Sequence, residues 1–310
     1  MSSQSQNNLQ QAYDFLKNAD YSSASKEFTK ELEKDLENPE ILFGVKCTSY
    51  WKTSFSELTA FSTLFSKGEQ LIAKWKKFLI TINQEKSKYE YLVYSVKKGI
   101  FTQILGIFQE ILSRNEATDK DIVYSRIGIC YKQLGEYDVA LRFLSEANLI
   151  SPDKASILAE MADCYALCGE EKTSKVLFRE AFFINPKDID VALLESDLFC
   201  RLFTEIQKTV KDPESALQWF PVEGVLRGVL NVKRELRALE VGKLKQNIYA
   251  LETELKNTGV EPSITIPRLI NNYFWLIDHY TTVNEERSKI NEILLKIKLL
   301  NADVYERYTV

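Results

Sequence analysis

The side chains able to do chemistry are few, and their spacing assembles no reacting centre. A nucleophilic triad needs a base that titrates near neutral pH. The chain carries one histidine, His279, on an aromatic stretch (Tyr273, Phe274, Trp275) that implies no acid or nucleophile beside it. It reads as a packed or half-exposed histidine. Five cysteines, Cys47, Cys130, Cys164, Cys168 and Cys200, lie inside apolar-periodic stretches and are odd in number, the usage of reduced, buried thiols acting as small hydrophobes. Cys164 and Cys168 share a helix face, but a metal needs further ligands and His279 lies far along the chain. The carboxylate pairs Glu170-Glu171 and Glu285-Glu286 stand at helix starts, where they complement the helix dipole. General acid–base work would need them buried and opposed. Gly224 and Gly228 are isolated glycines within a helical pattern, which suits close packing and not a phosphate-cradling loop. The expectation is no catalytic residue, no cofactor and no metal.

Composition narrows the class further. An apolar fraction of 45% beside 27% charged residues belongs to a folded chain. With 11 Gly and 7 Pro in 310 residues, turns are scarce and long helices are favoured. The net charge of −4 argues against a nucleic-acid partner, because phosphates are neutralised by a surplus of Lys and Arg. The cluster Lys74-Trp75-Lys76-Lys77 reads as a solvated helix face. The first residues, Met1-Ser2-Ser3-Gln4, carry neither the basic nor the apolar region of a secretory signal. No apolar run approaches the roughly 20 residues of a membrane span. A soluble, cytoplasmic protein without a direct membrane span is expected.

The elements carrying these residues are organised by a repeat. Gly128, Tyr131, Gly135, Ala147 and Pro152 are echoed, 34 residues on, by Ala162, Tyr165, Gly169, Ala181 and Pro186, with Tyr137 and Ala140 in the first unit and Phe178 in the second adding to the pattern. The echo keeps small, aromatic, glycine or proline character. A fixed period of that length signals stacked helical hairpins. It predicts helices over 122–134 and 137–149, then over 155–167 and 171–184. Gly135 and Gly169 fall where a helix end favours a left-handed residue, and Pro152 and Pro186 stop the second helix of each hairpin.

These residues resemble the tetratricopeptide repeat family. Its pattern of large, small and aromatic positions falls on Tyr124, Gly128, Tyr131, Ala140, Leu144, Ala147 and Pro152, then on Leu158, Ala162, Tyr165, Ser174, Phe178, Ala181 and Pro186. Leu144 replaces an aromatic and Ser174 an alanine. The resemblance implies an all-α, right-handed superhelical array of helix–turn–helix repeats. Weaker echoes extend it backward. Ala12, Phe15, Asp20-Tyr21, Ala24 and Phe28 fit a hairpin over 5–38. Degenerate hairpins are expected over 53–86, turning at Ser66-Lys67-Gly68, and over 87–120, turning at Lys97-Lys98-Gly99. A helical segment at 39–52 is out of phase. One capping helix is expected over 189–207, so the array spans 5–208, with its best repeats at 121–154 and 155–188.

From residue 212 to 310 the pattern becomes a C-terminal long-helix module. Pro213 and Pro221 bracket a short helix, and 222–257 reads as one helix with a coiled-coil-like seam (Val225, Val229, Val232, Leu236, Leu239, then Leu244, Ile248, Leu251, Leu255). A linker over 259–267 precedes an aromatic helix. A last helix over 285–305 carries a second seam: Ile290, Ile293, Ile297, Leu300 and Val304. Uncovered, such seams are an aggregation hazard, so 222–257 is expected to pair within the chain or form an interface.

In the tetratricopeptide family the first helix of each hairpin lines the groove that holds partner peptides. The resemblance therefore puts a partner groove at Ser125, Ile129, Lys132, Gln133, Ala159, Asp163, Ala166, Leu193, Asp197 and Arg201. Family members serving the major chaperones clamp a C-terminal carboxylate with Lys, Asn and Arg. Here the matching positions are Ser125, Ile129, Glu160 and Asp163, so that clamp is absent. A helix or extended segment with small apolar anchors and some positive charge suits the groove better. The expected function is a non-enzymatic protein–protein scaffold or adaptor in assembly of a multiprotein complex. The array would hold one protein partner, and the C-terminal helices would bind another or self-associate. The alternatives are a chaperone-like carrier of another protein's apolar helix and a regulatory subunit of an enzyme.

Overall fold

The computed structural model describes residues 3–85, 89–114, 119–257, 259 and 261–309. Among them there are fifteen α-helices and no strand, so the all-α class holds. The chain divides into two compact units, Met1–Pro152 and Asp153–Val310.

The first unit holds α1 (Ser3–Lys17), α2 (Tyr21–Leu32), α3 (Pro39–Glu57), α4 (Leu64–Asn83), α5 (Glu90–Ser113), α6 (Lys120–Gln133) and α7 (Tyr137–Ile150). Side chains set several starts. Asp20 accepts the Ser23 N–H at 2.9 Å to open α2, and Asn38 accepts from Glu40 and Ile41 to open α3 just before Pro39. α1 pairs with α2 as expected, and α5 packs on α1, α4 and α6. The core between α3, α4 and α5 is aromatic. Trp51 stacks on Trp75 at 6.2 Å between ring centres, and Trp75 meets Phe101 edge-on at 5.5 Å.

The two degenerate hairpins are corrected here. Ser66-Lys67-Gly68 lies within α4 and Lys97-Lys98-Gly99 within α5, so neither is a turn. The two glycines serve close packing instead. A Cβ on Gly68 would stand 2.7 Å from the Phe108 ring, and one on Gly99 would stand 2.1 Å from the Leu16 carbonyl oxygen. The absent side chain lets the middle of α5 touch the backbone at the end of α1.

The second unit holds α8 (Ala155–Leu167), α9 (Glu171–Ile184), α10 (Asp197–Thr209), α11 (Pro213–Leu226), α12 (Ala238–Glu254), α13 (Pro262–Thr282), α14 (Arg287–Leu300) and α15 (Ala302–Thr309). A shift of 34 carries α7 onto α9 end to end. The composition change at 208–212 falls inside this unit, where α10 packs on α11.

Four expectations need correction in this unit. The capping helix over 189–207 begins only at Asp197, after 3-10 turns at Pro186–Asp188 and Val191–Leu193. Asp163 draws in the intervening backbone, accepting the N–H groups of Glu195 at 2.9 Å and Ser196 at 2.8 Å. The single helix over 222–257 does not form. α11 runs through Pro221 to Leu226, an irregular strap occupies 227–237, and α12 follows. Gly228 stops the helix with φ +69°, and the carbonyl of Gly224 takes the N–H of both Val229 and Leu230. α13 begins at Pro262 inside the expected linker. The last helix breaks at Asn301, which ends α14 and caps α15 by accepting the Val304 N–H at 3.1 Å.

The seams themselves are covered inside this unit. Leu244, Ile248 and Leu251 of α12 and Ile293, Ile297 and Val304 of α14 and α15 join α13 in one core. Leu239, counted in the first seam, is exposed.

One turn geometry recurs through both units. Ala19, Gly135, Gly169 and Asn284 have positive φ, and the residue after each (Asp20, Glu136, Glu170, Glu285) donates its N–H five residues back. The acceptors are the carbonyls of Phe15, Tyr131, Tyr165 and Tyr280. Each helix thus ends on an aromatic, a left-handed residue and an acid.

Candidate functional site

The structure divides the ten expected groove residues. Ser125, Ile129, Lys132, Gln133, Ala159, Asp163 and Leu193 are all buried, and Ala166 is half-buried. Asp163, fully enclosed, spends its carboxylate on the two backbone N–H groups that open α10. It is a structural acceptor. Asp197 and Arg201 are the exposed pair, bonded to each other at 2.6 Å with each side chain about 80% exposed.

Those two residues border a surface hollow of about 440 Å³. Its construction begins in α10, a strongly two-faced helix. Phe199, Leu202 and Ile206 point into the core, while Asp197, Arg201 and Glu205 follow one another at four-residue steps on the outside. α9 adds Glu171 and Lys175, and the turn at Gly228 brings in Arg227 and Val229. Leu198, Leu202 and Val229 give the hollow its apolar floor.

The rim neutralises itself. Lys175 pairs with Glu171 at 3.1 Å, Lys208 with Glu205 at 2.5 Å and Arg227 with Glu223 at 2.9 Å. The Lys208 hydrogen bond holds the Glu205 carboxyl below its usual range. A site of this kind can receive apolar side chains between ion pairs. It offers no buried acid facing a base, which is the arrangement general acid–base catalysis requires.

The other chemistry-bearing residues are dispersed through the fold. Burial pushes the Cys47 thiol up to about 12 and raises the Cys130 thiol further, so both are poor nucleophiles. Cys168, expected within a buried stretch, is exposed at the end of α8, and Cys200 is half-buried. His279 is half-buried on α13, its Nδ1 enclosed without a hydrogen-bond partner. Among the described residues no group of three His, Cys, Asp or Glu could hold a metal ion, and no helix is long and apolar enough to cross a membrane.

A charged cluster that sequence reading missed ties the strap to its own unit. Arg179 of α9 is buried against Asp278 of α13 and donates to the Val232 carbonyl. Lys233 reaches Asp278 at 3.2 Å, and Arg234 joins Glu180 at 3.2 Å and Glu240 at 3.0 Å. Both guanidinium groups lie over Trp275, Arg179 at 4.7 Å and Arg234 at 5.5 Å. The sequence signal was the run Lys233-Arg234-Glu235 in the middle of the seam expected over 222–257.

The chain matches no family model and no curated protein.

Proposed function

We propose that the chain is a non-enzymatic protein-binding adaptor that receives an apolar-anchored segment of another protein in the hollow beside α10. The observation that carries this reading is the hollow: an apolar floor of Leu198, Leu202 and Val229 under a rim whose charged side chains are each held in an ion pair. Such a surface favours side chains that leave water, and its paired rim gives register to a helix or extended segment laid along α10. The two hairpins in 34-residue register support a tetratricopeptide-type reading of the chain. The inert, buried thiols Cys47 and Cys130 suit a reducing, cytoplasmic setting.

The test places a photo-crosslinking amino acid at position 198 and, as control, at the exposed Lys26. The expected result is one protein partner captured at 198 and not at 26, with Leu198→Asp lowering its affinity at least tenfold at unchanged helix content. Equal capture at both positions would sink the reading. So would catalytic turnover by the purified chain that a single substitution abolishes.

A further inference from the structure

Three tyrosines of the fold hold their phenol oxygens in opposite chemical settings. Tyr13 donates its O–H to Glu40, and Tyr273 donates to Glu252 at 2.6 Å. Burial and these acceptor carboxylates push both phenols above their ordinary value, so both oxygens keep their protons. Tyr91, in the first turn of α5, is turned the other way. Its oxygen accepts hydrogen bonds, from Lys17 Nζ at 2.9 Å and from Gln10 Nε2 at 3.3 Å. Both donors stand on one face of α1, and α5 packs on α1 within the first unit. Asp14 lies between them at i, i+4 and i+7 spacing, accepting from Gln10 at 3.3 Å and from Lys17 at 3.0 Å. The hydrogen bonds from Gln10 and Lys17 hold the Tyr91 phenol below its ordinary value, against the opposing charge of Asp14. The ring is fixed as well. Tyr13 meets it edge-on at 5.2 Å, and the Lys17 ammonium lies 5.0 Å from its centre. Tyr91 is nonetheless 46% exposed, and so is Tyr94 at 47%, whose ring lies nearly parallel to it at 6.2 Å. An exposed pair of this kind gives an incoming aromatic ring a face to stack on.

We infer that Tyr91 is a modification site, a nucleophilic phenol that takes a sulfonyl group from an aryl sulfonyl electrophile. The attacking species is the phenolate, and two donors on its oxygen, one of them a cation, raise the share of that form. Sulfur in a sulfonyl electrophile is a hard centre and suits a hard oxygen nucleophile, and the aryl group suits the open face of Tyr94. In the reaction the Tyr91 oxygen attacks sulfur, and an S–O bond forms as the bond to the leaving group breaks. With a sulfonyl fluoride, fluoride departs with the S–F electron pair and the phenol proton passes to water. Nothing is oxidised or reduced. Lys17 and Gln10 are positioning residues, which act through the Tyr91 oxygen, and Asp14 holds both of them there. The site lies in the first unit and is independent of the hollow beside α10.

The experiment treats the full chain with substoichiometric benzenesulfonyl fluoride and maps the labelled residues by mass spectrometry over time. Tyr249 is the internal reference, since it is more exposed at 72%. The expected result is label on Tyr91 at least about fivefold faster than on Tyr249, the direction its two donors impose. Methanesulfonyl fluoride, which has no ring to stack on Tyr94, should show about half that selectivity or less. Lys17→Met should slow Tyr91 at least about fivefold and leave Tyr249 unchanged. Lys17→Arg keeps a cationic donor and should recover most of the rate, which a merely structural role for Lys17 does not require. Gln10→Leu should slow Tyr91 as well, and it decides the matter if Lys17→Met lowers the helix content seen by circular dichroism. The inference is overturned if Tyr249 or Lys17 itself is labelled before Tyr91, or if the two reagents are equally selective. It is overturned too if Gln10→Leu or a folded Lys17→Met reacts at Tyr91 as fast as the native chain, or if Lys17→Arg recovers nothing.

Discussion

Single side chains in this protein hold turns of backbone in place. Asp163 shows it best: a carboxylate at a groove position in the repeat pattern, enclosed and accepting two N–H groups where α10 begins. Removing it strands both donors in the interior. Asp163→Ala should cost about 3 kcal/mol in urea-induced unfolding, the scale of two bonds to a charged acceptor. A loss below about 0.5 kcal/mol would return Asp163 to the partner surface. Glu240 gives a second readout. Its hydrogen bonds from Arg234 and Arg237 lower its pKa from the ordinary 4.5 to about 2. A depressed folded-state pKa contributes stability that is complete above the unfolded value and is lost as pH falls through the folded one. Stability should therefore decline between about pH 4.5 and 2, and Glu240→Gln should flatten that part of the curve. Parallel profiles for the two proteins would refute the assignment.

At the scale of helices, the legible parts and the illegible ones separate by mechanism. The hairpins α6–α7 and α8–α9 were readable because small, aromatic and glycine positions recur with the period of the unit. The turn at Asn284 repeats the chemistry of Gly135 and Gly169, but no 34-residue partner announces it. Gly68 and Gly99 were misread as turns because a glycine required by close approach and one required by positive φ look alike in sequence. The missing information is the residue opposite, Phe108 or the Leu16 carbonyl. The break at Gly228 was hidden inside a seam whose spacing ran on across it. Glycines on one helix provide a controlled comparison. A Cβ at Gly106 of α5 meets nothing within 4 Å, whereas at Gly99 it strikes backbone at 2.1 Å. Gly106→Ala should stabilise the protein by roughly 0.5–1 kcal/mol. Gly99→Ala should destabilise it by about 2 kcal/mol or more as α1 and α5 are forced apart. Thermal melts of the two variants should move in opposite directions. A rise in both would mean that α5 does not touch α1 as described.

For the molecule as a whole, the charges favour binding governed by apolar contact. The net charge is small for 310 residues, and the ion pairs at the hollow join residues three or four apart in the chain. Partner capture at position 198 should therefore change less than about threefold between roughly 0.05 and 0.5 M salt, a range over which screening silences exposed charges. A tenfold loss would show that the rim opens its pairs to the partner. The candidate site was the least legible part of the chain. The family pattern names positions along a helix, and burial decides which of them face outward. Of the ten residues only Asp197 and Arg201 lie in the open hollow, because Asp163 and its neighbours close the interior.

The strap over 227–237 has a mechanical consequence. Its first residues, Arg227 and Val229, line the hollow, and its later ones, Val232 and Lys233, are moored to Arg179 and Asp278. A guest that pries the wall outward pulls on a tether whose far end is the central helix α13. How far the hollow can open is therefore tied to the grip of a carboxylate on another helix, Asp278.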